Sequence, residues 1–453
     1  MHHITIPENI IFILDRLEAQ GYEAYLVGGC VRDQLMGKTP HDYDVTTSAL
    51  PDAVVECFSD CHVIETGIKH GTVTVMSEGH PVEITTFRTD GEYLDNRRPE
   101  NVRFVSDLRF DLSRRDFTVN AMAYSPQRGL IDLFGGAADI RAGIIRCVGE
   151  PEKRFHEDGL RIMRALRFAS RLGFHIEENT AKAVHSCREL LSNIAAERIF
   201  VELKGLLVGA GAEKILMDYR DVIFGIIPEL APMDGFKQNN PHHIYDVWTH
   251  TVKALCSTIP DENIRLALLL HDSGKPDCHT TDEKGIDHFH GHPGKSIEIA
   301  DTVLHRLRCD NTAKKEILTL IKYHDVRPSP YDVRVKKFIA ALGEDLFRRL
   351  LLVKTADTKA QSPNMLEAKL DDLKLLEKLL EDMKSSKACM SIKELAVNGH
   401  DLIKIGVPEG KTMGVILERL FDMVCTEAIP NSREPLLSAA CQIMNENQAK
   451  HID

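Results

Sequence analysis

Two carboxylates and two glycines lie close together near the start of the chain. Asp42 and Asp44 are two residues apart in the stretch HDYDVTT, and they follow a Gly28-Gly29 pair at the end of a short apolar run. On a strand, residues two apart point to one face, which suits two carboxylates that hold Mg²⁺ against a triphosphate. Paired metal ions of this kind activate an attacking hydroxyl and stabilise a leaving pyrophosphate.

The glycine pair is suited to binding an anion. Residues without a Cβ let backbone N–H groups come close to a phosphate, and a helix that starts there directs its positive end to the same place. Arg32, in the first turn of the predicted helix, adds positive charge. Taken alone, a DxD pair is usually a turn and a GG pair a bend, so the prediction depends on their ordered combination.

A second group of residues with metal-ligand chemistry lies in a histidine-rich block, residues 240–360. His250, the adjacent pair His271-Asp272, and Asp357 follow one another in the sequence, on predicted helices. Imidazoles and carboxylates suit a divalent Mn, Ni, Co, Fe or Zn ion, and the sequence does not rank these metals. For any one histidine a surface or structural role is the better explanation, so the predicted metal site depends on the ordered set.

Length and composition limit the class of protein. The chain has 453 residues and a formal net charge of −12, with eleven cysteines scattered without a CxxC pair. From the length we expect several domains, and from the scattered cysteines a reducing cytoplasmic location. We expect no membrane association, because the sequence has no long uncharged apolar run. The acidic total excludes a nucleic-acid coat, but residues 97–116 and 151–171 are locally basic and permit a groove.

The elements that must position these residues change in character along the chain. The first 145 residues read as mixed α/β, and helical periodicity dominates after Pro151. Pro228, Pro232 and the run FKQNNPHH indicate a boundary near residue 235. The predicted strands are 24–27, 41–45, 72–76 and 82–88, and the predicted helices include 31–36, 157–172, 197–207 and 366–384.

Several further motifs occur in a fixed order. After GGCVRD and HDYDVTT come RRDFTVNAMAY, IDLFGGAADI, EDGLRIMRALRF and AAERIFVELKGLL. Together they resemble the motifs of the class II tRNA nucleotidyltransferase (CCA-adding enzyme) and poly(A) polymerase family. The resemblance covers residues 1 to about 230, and KELAVNGHDLIKIGV near the C-terminus is also similar.

The resemblance implies an α+β fold, in which a polymerase-β-like mixed α/β nucleotidyltransferase head is followed by an all-α neck, an HD-containing body and a tail. It implies CCA addition to tRNA from CTP and ATP, with Mg²⁺ at the catalytic residues Asp42 and Asp44. The predicted domains are a head (1–145), a neck for nucleotide selection and RNA binding (146–232), an HD domain (233–362) and a tRNA-binding tail (363–453).

The resemblance also assigns nucleotide-binding residues. A carboxylate accepts the exocyclic amino proton shared by C and A, and an arginine donates to ring acceptors. We therefore expect Asp158 and Arg161, three apart on one helix, to select the base. Glu83 and, more weakly, Asp111 are further carboxylates considered for the active site. The residues expected at the nucleotide or its phosphates are Gly29, Arg32, Arg115, Asp158, Arg161, Arg164 and Arg167.

The order of His250, His271-Asp272 and Asp357 resembles the HD superfamily of metal-dependent phosphohydrolases. The resemblance implies hydrolysis of a phosphate ester or cyclic phosphate, with Lys275 near the substrate. His292 and His324 stand where some HD members have further metal or phosphate contacts. A purely structural histidine cluster is the alternative explanation.

Three alternative functions remain at this stage: a poly(A) polymerase or A-adding tRNA nucleotidyltransferase, an HD phosphohydrolase as the main activity, and a non-enzymatic RNA- or nucleotide-binding module. Residues 88–112 resemble the loop that full CCA-adding members have and CC-only members lack, which favours complete CCA addition.

Overall fold

The computed structural model describes residues 4–90, 102–330, 332, 334–364, 366–385, 389 and 391–449. Two compact units are present, the first formed by residues 1–228 and 306–309 and the second by residues 229–305 and 310–453. Residues 91–101, within the segment predicted to be a specificity loop, lie outside the described residues. The finer division into head, neck, HD domain and tail stays a prediction.

The first unit starts as a mixed α/β domain. Its strands are β1 (Ala24–Val27), β2 (Asp44–Thr47), β3 (His62–Ile64), β4 (Thr72–Ser77), β5 (His80–Thr86), β6 (Arg88–Asp90), β7 (Val102–Phe104), β8 (Met122–Ser125), β9 (Gly129–Asp132), β10 (Ile144–Ile145) and β11 (His175–Ile176). Its helices are α1 (Glu8–Ala19), α2 (Gly29–Leu35), α3 (Pro51–Cys57), α4 (Leu108–Ser113), α5 (Gly136–Ala142), α6 (Pro151–Glu157), α7 (Leu160–Leu172), α8 (Glu178–Ser186), α9 (Ala196–Leu207), α10 (Ala212–Asp218) and α11 (Arg220–Ile226).

A seven-stranded sheet in the order β3-β4-β5-β2-β1-β8-β9 forms the centre of this domain. β2 and β5 are parallel, whereas the other neighbouring pairs are antiparallel. β4 alternates half-buried and buried residues, as expected for a strand with one face on a core. The apolar stripe of α1 packs with α2, α3 and the sheet, and the cluster includes Ile13, Leu17, Val75 and Ile84.

The predicted strand near Asp42 and Asp44 begins later than expected. β2 starts at Asp44, so only this carboxylate is in the sheet, and the prediction that both lie on the strand is wrong. The cause is the neighbouring strand. β1 ends at Val27, which pairs with Asp44, and Gly28 then turns away, so no backbone partner remains on that side for Asp42.

The second unit is almost entirely helical, with one small hairpin. Its helices are α12 (Val247–Cys256), α13 (Glu262–Leu270), α14 (His292–Arg306), α15 (Asn311–Tyr323), α16 (Arg334–Leu342), α17 (Glu344–Lys359), α18 (Leu366–Ser385), α19 (Gly399–Lys404), α20 (Lys411–Cys425) and α21 (Arg433–Ala449), and the hairpin strands are β12 (Thr280–Thr281) and β13 (Asp287–His288). Across the described residues, every helix is too short or too polar to cross a membrane.

Gly136, at the start of α5, marks the tightest backbone approach in the head. A Cβ built there would come 2.2 Å from the backbone oxygen of Thr118 and 3.0 Å from Cγ of Met122. Because the nearest atom is backbone, relief requires α5 to move away from the segment that it packs on.

We expect Gly136→Ala to lower the free energy of unfolding by about 1–3 kcal/mol, through overpacking. Gly225→Ala in α11 is the matched control, because a Cβ at that position meets nothing within 4 Å. It should leave stability unchanged or raise it slightly, since alanine favours helix over glycine. Urea unfolding followed by circular dichroism measures both, and equal stabilities would contradict the model of the α5 packing.

Candidate active site and histidine–aspartate cluster

Three carboxylates lie at one edge of the central sheet. Asp44 begins β2, and Glu83 of β5 is directly opposite it in the parallel register. Asp42 precedes the strand and lines the same cavity as Asp44. Burial is the largest cause that raises the pKa of Asp44 to about 6, and repulsion from Asp42 and Glu83 acts in the same direction. The residue itself is exposed to solvent, and it lines the cavity.

This crowding fits a divalent cation. Like-charged carboxylates raise one another's pKa unless a cation neutralises them, and oxygen ligands are those that Mg²⁺ prefers. Glu83 lies next to Asp44 in the register of the two strands, but it is not among the residues that line the cavity. Asp111, the weaker sequence candidate, is fully buried and does not line the cavity.

The Gly28 turn brings arginines to the carboxylates. Gly28 has a φ of 81°, a left-handed conformation that favours glycine, and it precedes α2, which starts at Gly29. A Cβ on Gly28 would lie 3.1 Å from Nη1 of Arg115, and one on Gly29 would lie 3.5 Å from Nη2 of Arg32. The missing Cβ of Gly28 thus makes room for the guanidinium group of Arg115, whereas 3.5 Å at Gly29 is an ordinary van der Waals distance.

Asp111 holds two adjacent arginines in place. Its carboxylate accepts hydrogen bonds from Arg114 at 2.9 Å, Arg115 at 3.2 Å and the hydroxyl of Thr46 at 3.3 Å. Burial acts to raise the pKa of Asp111, but the two arginines outweigh it and lower the pKa below its usual range. Asp111 therefore positions Arg114 and Arg115 and is kept ionised by them.

A chain of hydrogen bonds joins Arg32, on α2, to Arg164, on α7. Arg32 donates from Nη1 to Oδ1 of Asn120 at 2.7 Å, and Asn120 donates to Oδ1 of Asp116 at 3.1 Å. The other oxygen of Asp116 accepts two hydrogen bonds from Arg164, at 2.8 and 2.6 Å. Burial acts to raise the pKa of Asp116, but Arg164 and these hydrogen bonds lower it.

Phe168 is an aromatic platform for three of the expected nucleotide-binding residues. The guanidinium carbons of Arg32 and Arg164 each lie 5.3 Å from the ring centroid, and that of Arg167 lies at 4.2 Å. Cations within about 6 Å of an aromatic face are attracted by its quadrupole. Arg167 also pairs with Glu202 and is not among the residues that line the cavity.

Asp158 and Arg161 are not on one helix, so that part of the prediction is wrong. α6 ends at Glu157 and α7 starts at Leu160, and Asp158 is extended between them. The physical reason is local capping: Asp158 accepts a hydrogen bond from the N–H of Leu160 at 3.0 Å, and Gly159 packs against Leu190 too closely for a Cβ.

Both residues line the cavity nevertheless, each held by other groups. Asp158 pairs with Nη2 of Arg198 at 3.2 Å, and Arg161 pairs with Glu157 at 2.6 Å and donates to the carbonyl oxygen of Arg114. Nη1 of Arg198 is buried and has no hydrogen-bond partner among the described residues.

Sequence reasoning missed several residues that contribute to the cavity. All of them lie inside the motifs quoted above, so the sequence did point to these segments. Residue type alone, however, does not distinguish a side chain that contacts a ligand from one that only holds such a side chain in place. The cavity residues assigned no role from the sequence are Arg114, Asp116, Asn120, Leu160, Phe168 and Arg198.

The second unit brings the predicted histidines together. Nε2 of His250 lies 2.9 Å from Asp357 and 3.5 Å from Asp272, and Nε2 of His271 lies 3.2 Å from Asp272. Asp272 also faces two further histidines with its other oxygen: His292 at 3.3 Å and His324 at 3.7 Å. Two three-residue ligand sets, each compact enough for one metal ion, therefore share Asp272.

All four imidazoles are oriented in the same way. Each Nδ1 lies within 3.2 Å of a backbone carbonyl oxygen, that of Ala360, Leu268, Phe289 or Ile321. Because a carbonyl can only accept, each Nδ1 carries a proton and each Nε2 is directed into the cluster, where a metal ion would replace any proton that Nε2 holds. This outer contact is the one that metal-bound histidines use to fix their tautomer.

The donor set of this histidine–aspartate cluster fits a divalent transition metal. His292 and His324 place two Nε2 atoms 3.2 Å apart, and two lone pairs cannot satisfy each other. Nε2 of His271 and Oδ2 of Asp272 are buried without a hydrogen bond of good geometry to any described residue. Lys275 Nζ does form an ion pair with Asp272 at 2.7 Å. Burial acts to lower the pKa of His271, but the carboxylates raise it to about 10.

Comparison with known families assigns three parts of the chain. Residues 24–146 match the poly A polymerase head domain, and residues 173–233 match a probable RNA- and SrmB-binding site of polymerase A. Residues 294–440 match a domain described as tRNA nucleotidyltransferase domain 2, putative. The sheet with its carboxylates, the arginine-lined cavity and the head-domain match define the chain as a nucleotidyltransferase.

Individual relatives extend over nearly the whole chain. The CCA-adding enzyme of Lactiplantibacillus plantarum is 35% identical over 438 residues, 94% of each chain. The crystal structure of the Bacillus stearothermophilus CCA-adding enzyme in complex with CTP covers 98% of this chain and 100% of that one, at 29% identity and a TM-score of 0.76. A Thermotoga maritima CCA-adding enzyme, at 21% identity and a TM-score of 0.61, shares the fold. The chain belongs to the CCA-adding enzyme family.

Asn120 links Arg32 to Asp116 by hydrogen bonds. Its replacement should therefore affect nucleotide binding without changing Asp42 or Asp44. We expect Asn120→Leu to lower kcat/KM for nucleotide addition about 10- to 100-fold, because a buried Asp116 loses a donor and Arg32 loses its acceptor. Steady-state kinetics measures the loss. Asn193→Leu, at an exposed position, is the control and should stay near the unaltered rate; equal kinetics for both variants would contradict the role of the hydrogen-bond chain.

Proposed function

We propose that this protein adds C, C and A to the 3′ end of tRNA, with CTP and ATP as the nucleotide donors and pyrophosphate as the product. The observation that carries the proposal is the cavity in which Asp42 and Asp44 face six arginines beside the Gly28 turn. The family supports it, since the relatives that align with nearly the whole chain are CCA-adding enzymes and the structure of one of them was solved with CTP.

In this mechanism the carboxylates hold the metal and the arginines hold the triphosphate. Asp42 and Asp44, with Glu83 beside them, would bind Mg²⁺, which activates the tRNA 3′-hydroxyl and stabilises the leaving pyrophosphate. Arg32 and Arg115, beside the glycine turn, would take the phosphates. Guanidinium groups suit this task because they pair with phosphate oxygens in a bidentate way.

Base selection is proposed for Asp158 and Arg161, which the structure holds rigidly. Asp158 is oriented by Arg198 and by its capping bond, and Arg161 by Glu157 and by two backbone carbonyls. A carboxylate fixed in this way accepts a hydrogen bond from the amino group at C4 of cytosine or C6 of adenine, where uracil and guanine have a carbonyl oxygen. In our proposal the first unit therefore consists of a head, which carries Asp42 and Asp44, and a neck, which carries Asp158 and Arg161.

The remaining assignments follow from this function. The second unit would grip tRNA by shape and phosphates rather than by sequence, as proteins do with double-stranded RNA. A cytoplasmic location suits an enzyme whose eleven cysteines are all free thiols.

The catalytic assignment is tested with tRNA lacking CCA and each labelled nucleotide in turn. We expect CMP and then AMP incorporation by the unaltered protein. Asp42→Ala and Asp44→Ala should lose at least about a thousandfold in rate, because the metal ligands are removed. His271→Ala/Asp272→Ala is the control that should keep the transferase rate. Incorporation from ATP alone would favour an A-adding enzyme or a poly(A) polymerase instead.

A second activity is proposed for the histidine–aspartate cluster: metal-dependent hydrolysis of a phosphate ester. The specific observation is that four Nε2 atoms and two carboxylates converge, with the outer nitrogens of the imidazoles already bound to carbonyl oxygens. A bound divalent cation would polarise a phosphate ester for attack by water. Lys275, paired with Asp272 and Gln238, is placed beside that position.

Metal binding can be measured apart from activity. Calorimetric titration of metal-free Asp42→Ala/Asp44→Ala protein with Mn²⁺, in which the carboxylates of the first unit are removed, should show binding that the additional change His271→Ala/Asp272→Ala abolishes. Hydrolysis of a chromogenic phosphate monoester should disappear in His271→Ala/Asp272→Ala while Asp42→Ala retains it. Unchanged Mn²⁺ binding after the additional change would mean that the cluster is structural.

A further inference from the structure

A groove lies on the surface of the second unit between α14 and α15. Most of its wall comes from one face of α15, and α14 contributes Ile297. Of the described residues that line it, three are lysines and none is a carboxylate. We call it the lysine groove, and it shares no residue with the histidine–aspartate cluster. Its lining residues are Ile297, Asn311, Lys314, Lys315, Leu318, Thr319 and Lys322.

The carboxylates of α14 and α15, and that of the residue that caps α15, are each bound within the fold. Only one of them reaches a lysine of the groove. The partners are Lys314 for Asp301 at 2.8 Å, Lys295 for Glu298 at 3.3 Å, Arg349 for Glu316 at 3.1 Å, and the N–H of Ala313 for Asp310 at 2.9 Å.

Two of the three lysines are left without an ionic partner. Lys315 and Lys322 are exposed and form no ion pair with any residue that the structure describes. They are seven residues apart on α15, so they share one face of the helix and are separated by about 10 Å along its axis. Ammonium groups spaced in this way suit a linear polyanion better than one small anion. Asn311 and Thr319, on the same wall, add neutral groups of the kind that contact phosphates and sugars.

The floor of the lysine groove offers little to an apolar partner. Ile297 and Leu318 are its two large apolar side chains, and both are half-buried. A protein segment bound here would lack the exposed apolar anchors on which protein interfaces depend. An RNA backbone, in contrast, is bound chiefly through its charge. Because the whole chain has a net charge of −12, attraction of a polyanion depends on local positive surfaces such as this one.

We infer that the lysine groove binds the sugar–phosphate backbone of tRNA, with Lys315 and Lys322 at separate phosphates. The inference rests on the proposed function and deepens it, because it assigns to α14 and α15 the contact with RNA that was proposed for the second unit as a whole. Ammonium groups contact phosphates without reading the bases, so tRNAs of different sequence should be held equally. An acidic protein segment is the competing occupant.

The test measures equilibrium binding of the full chain to a tRNA that lacks CCA, without nucleotide, by fluorescence anisotropy at several KCl concentrations. Lys315→Gln/Lys322→Gln should weaken binding about 10-fold at low salt. It should also reduce the slope of log K against log [KCl] by about 1.5, because two phosphate contacts no longer release counterions. Lys315→Glu/Lys322→Glu should weaken binding further, since like charges then face the backbone.

The matched control is Lys374→Gln/Lys378→Gln on α18. Both lysines are exposed, and Lys374 already pairs with Asp371 at 2.8 Å. This control removes the same charge from the same unit and should leave both the affinity and the salt slope unchanged. Circular dichroism should show equal helix content in all variants, because all the altered side chains are exposed.

Three results would overturn the inference. One is an unaltered affinity and salt slope in Lys315→Gln/Lys322→Gln. Another is an equal loss in Lys374→Gln/Lys378→Gln, which would mean that only the total charge matters. The third is a loss of binding to polyglutamate without a loss of binding to tRNA, which would assign the groove to an acidic protein.

These measurements separate the inference from the proposed function, because they do not require nucleotide transfer. Should the labelled-nucleotide assay show no addition while tRNA binding is still lost in Lys315→Gln/Lys322→Gln, the proposed function fails and the tRNA contact stands. Should addition proceed and this variant bind tRNA like the unaltered protein, the contact is wrong and the function stands.

Discussion

The active-site cavity depends on the pairing of arginines with buried carboxylates. Six arginines line it, and their mutual repulsion would spread them apart in a protein without ligand. The fold prevents this by giving the cluster anionic partners, among which Asp111 takes Arg114 and Arg115, and Asp116 takes Arg164. Both partners come from one short stretch of the chain, since Asp111 is on α4 and Asp116 follows that helix by three residues. A preformed cluster matters for catalysis, because donors that are already in place need no rearrangement when charge develops.

In the second unit, too, the side chains of the candidate site are held in place before a ligand binds, here by hydrogen bonds between imidazoles and backbone carbonyl oxygens. Backbone carbonyls at the ends of helices take the Nδ1 protons of four histidines, so the imidazoles are oriented before any ligand arrives. Three of these carbonyls lie three residues before their histidine. The orientation of His271, His292 and His324 is thus set by a carbonyl three residues earlier in the chain. His250, within α12, is oriented instead by Ala360 at the end of α17, so its orientation depends on how these two helices pack.

Much of this could be predicted from the sequence. The strand at Ala24–Val27 was predicted at its observed bounds, and the helices at 197–207 and 366–384 to within one residue, because strong apolar periodicity determined them. The carboxylates and the histidine set were identified from residue type and order. What failed were features set by neighbours: the start of β2, which depends on where β1 ends, and the break at Asp158, which depends on a cap and on Leu190. The supporting roles of Asp116 and Asn120 required the three-dimensional contacts, since the same residue types serve equally well as ligand contacts.

The late start of β2 has a consequence for the two catalytic carboxylates. Asp44 is held on both sides by neighbouring strands, whereas Asp42 belongs to the connecting segment that leads into the sheet. The backbone of Asp44 is thus held by the hydrogen bonds of the sheet, whereas the backbone of Asp42 lacks them. If the distance between the metal ions and the substrate changes, Asp42 can move with them while Asp44 and the sheet keep their positions. In the proposed function, this unequal anchoring would let Asp42 adjust its position while Asp44 stays in the sheet, as the tRNA end grows by one nucleotide at a time.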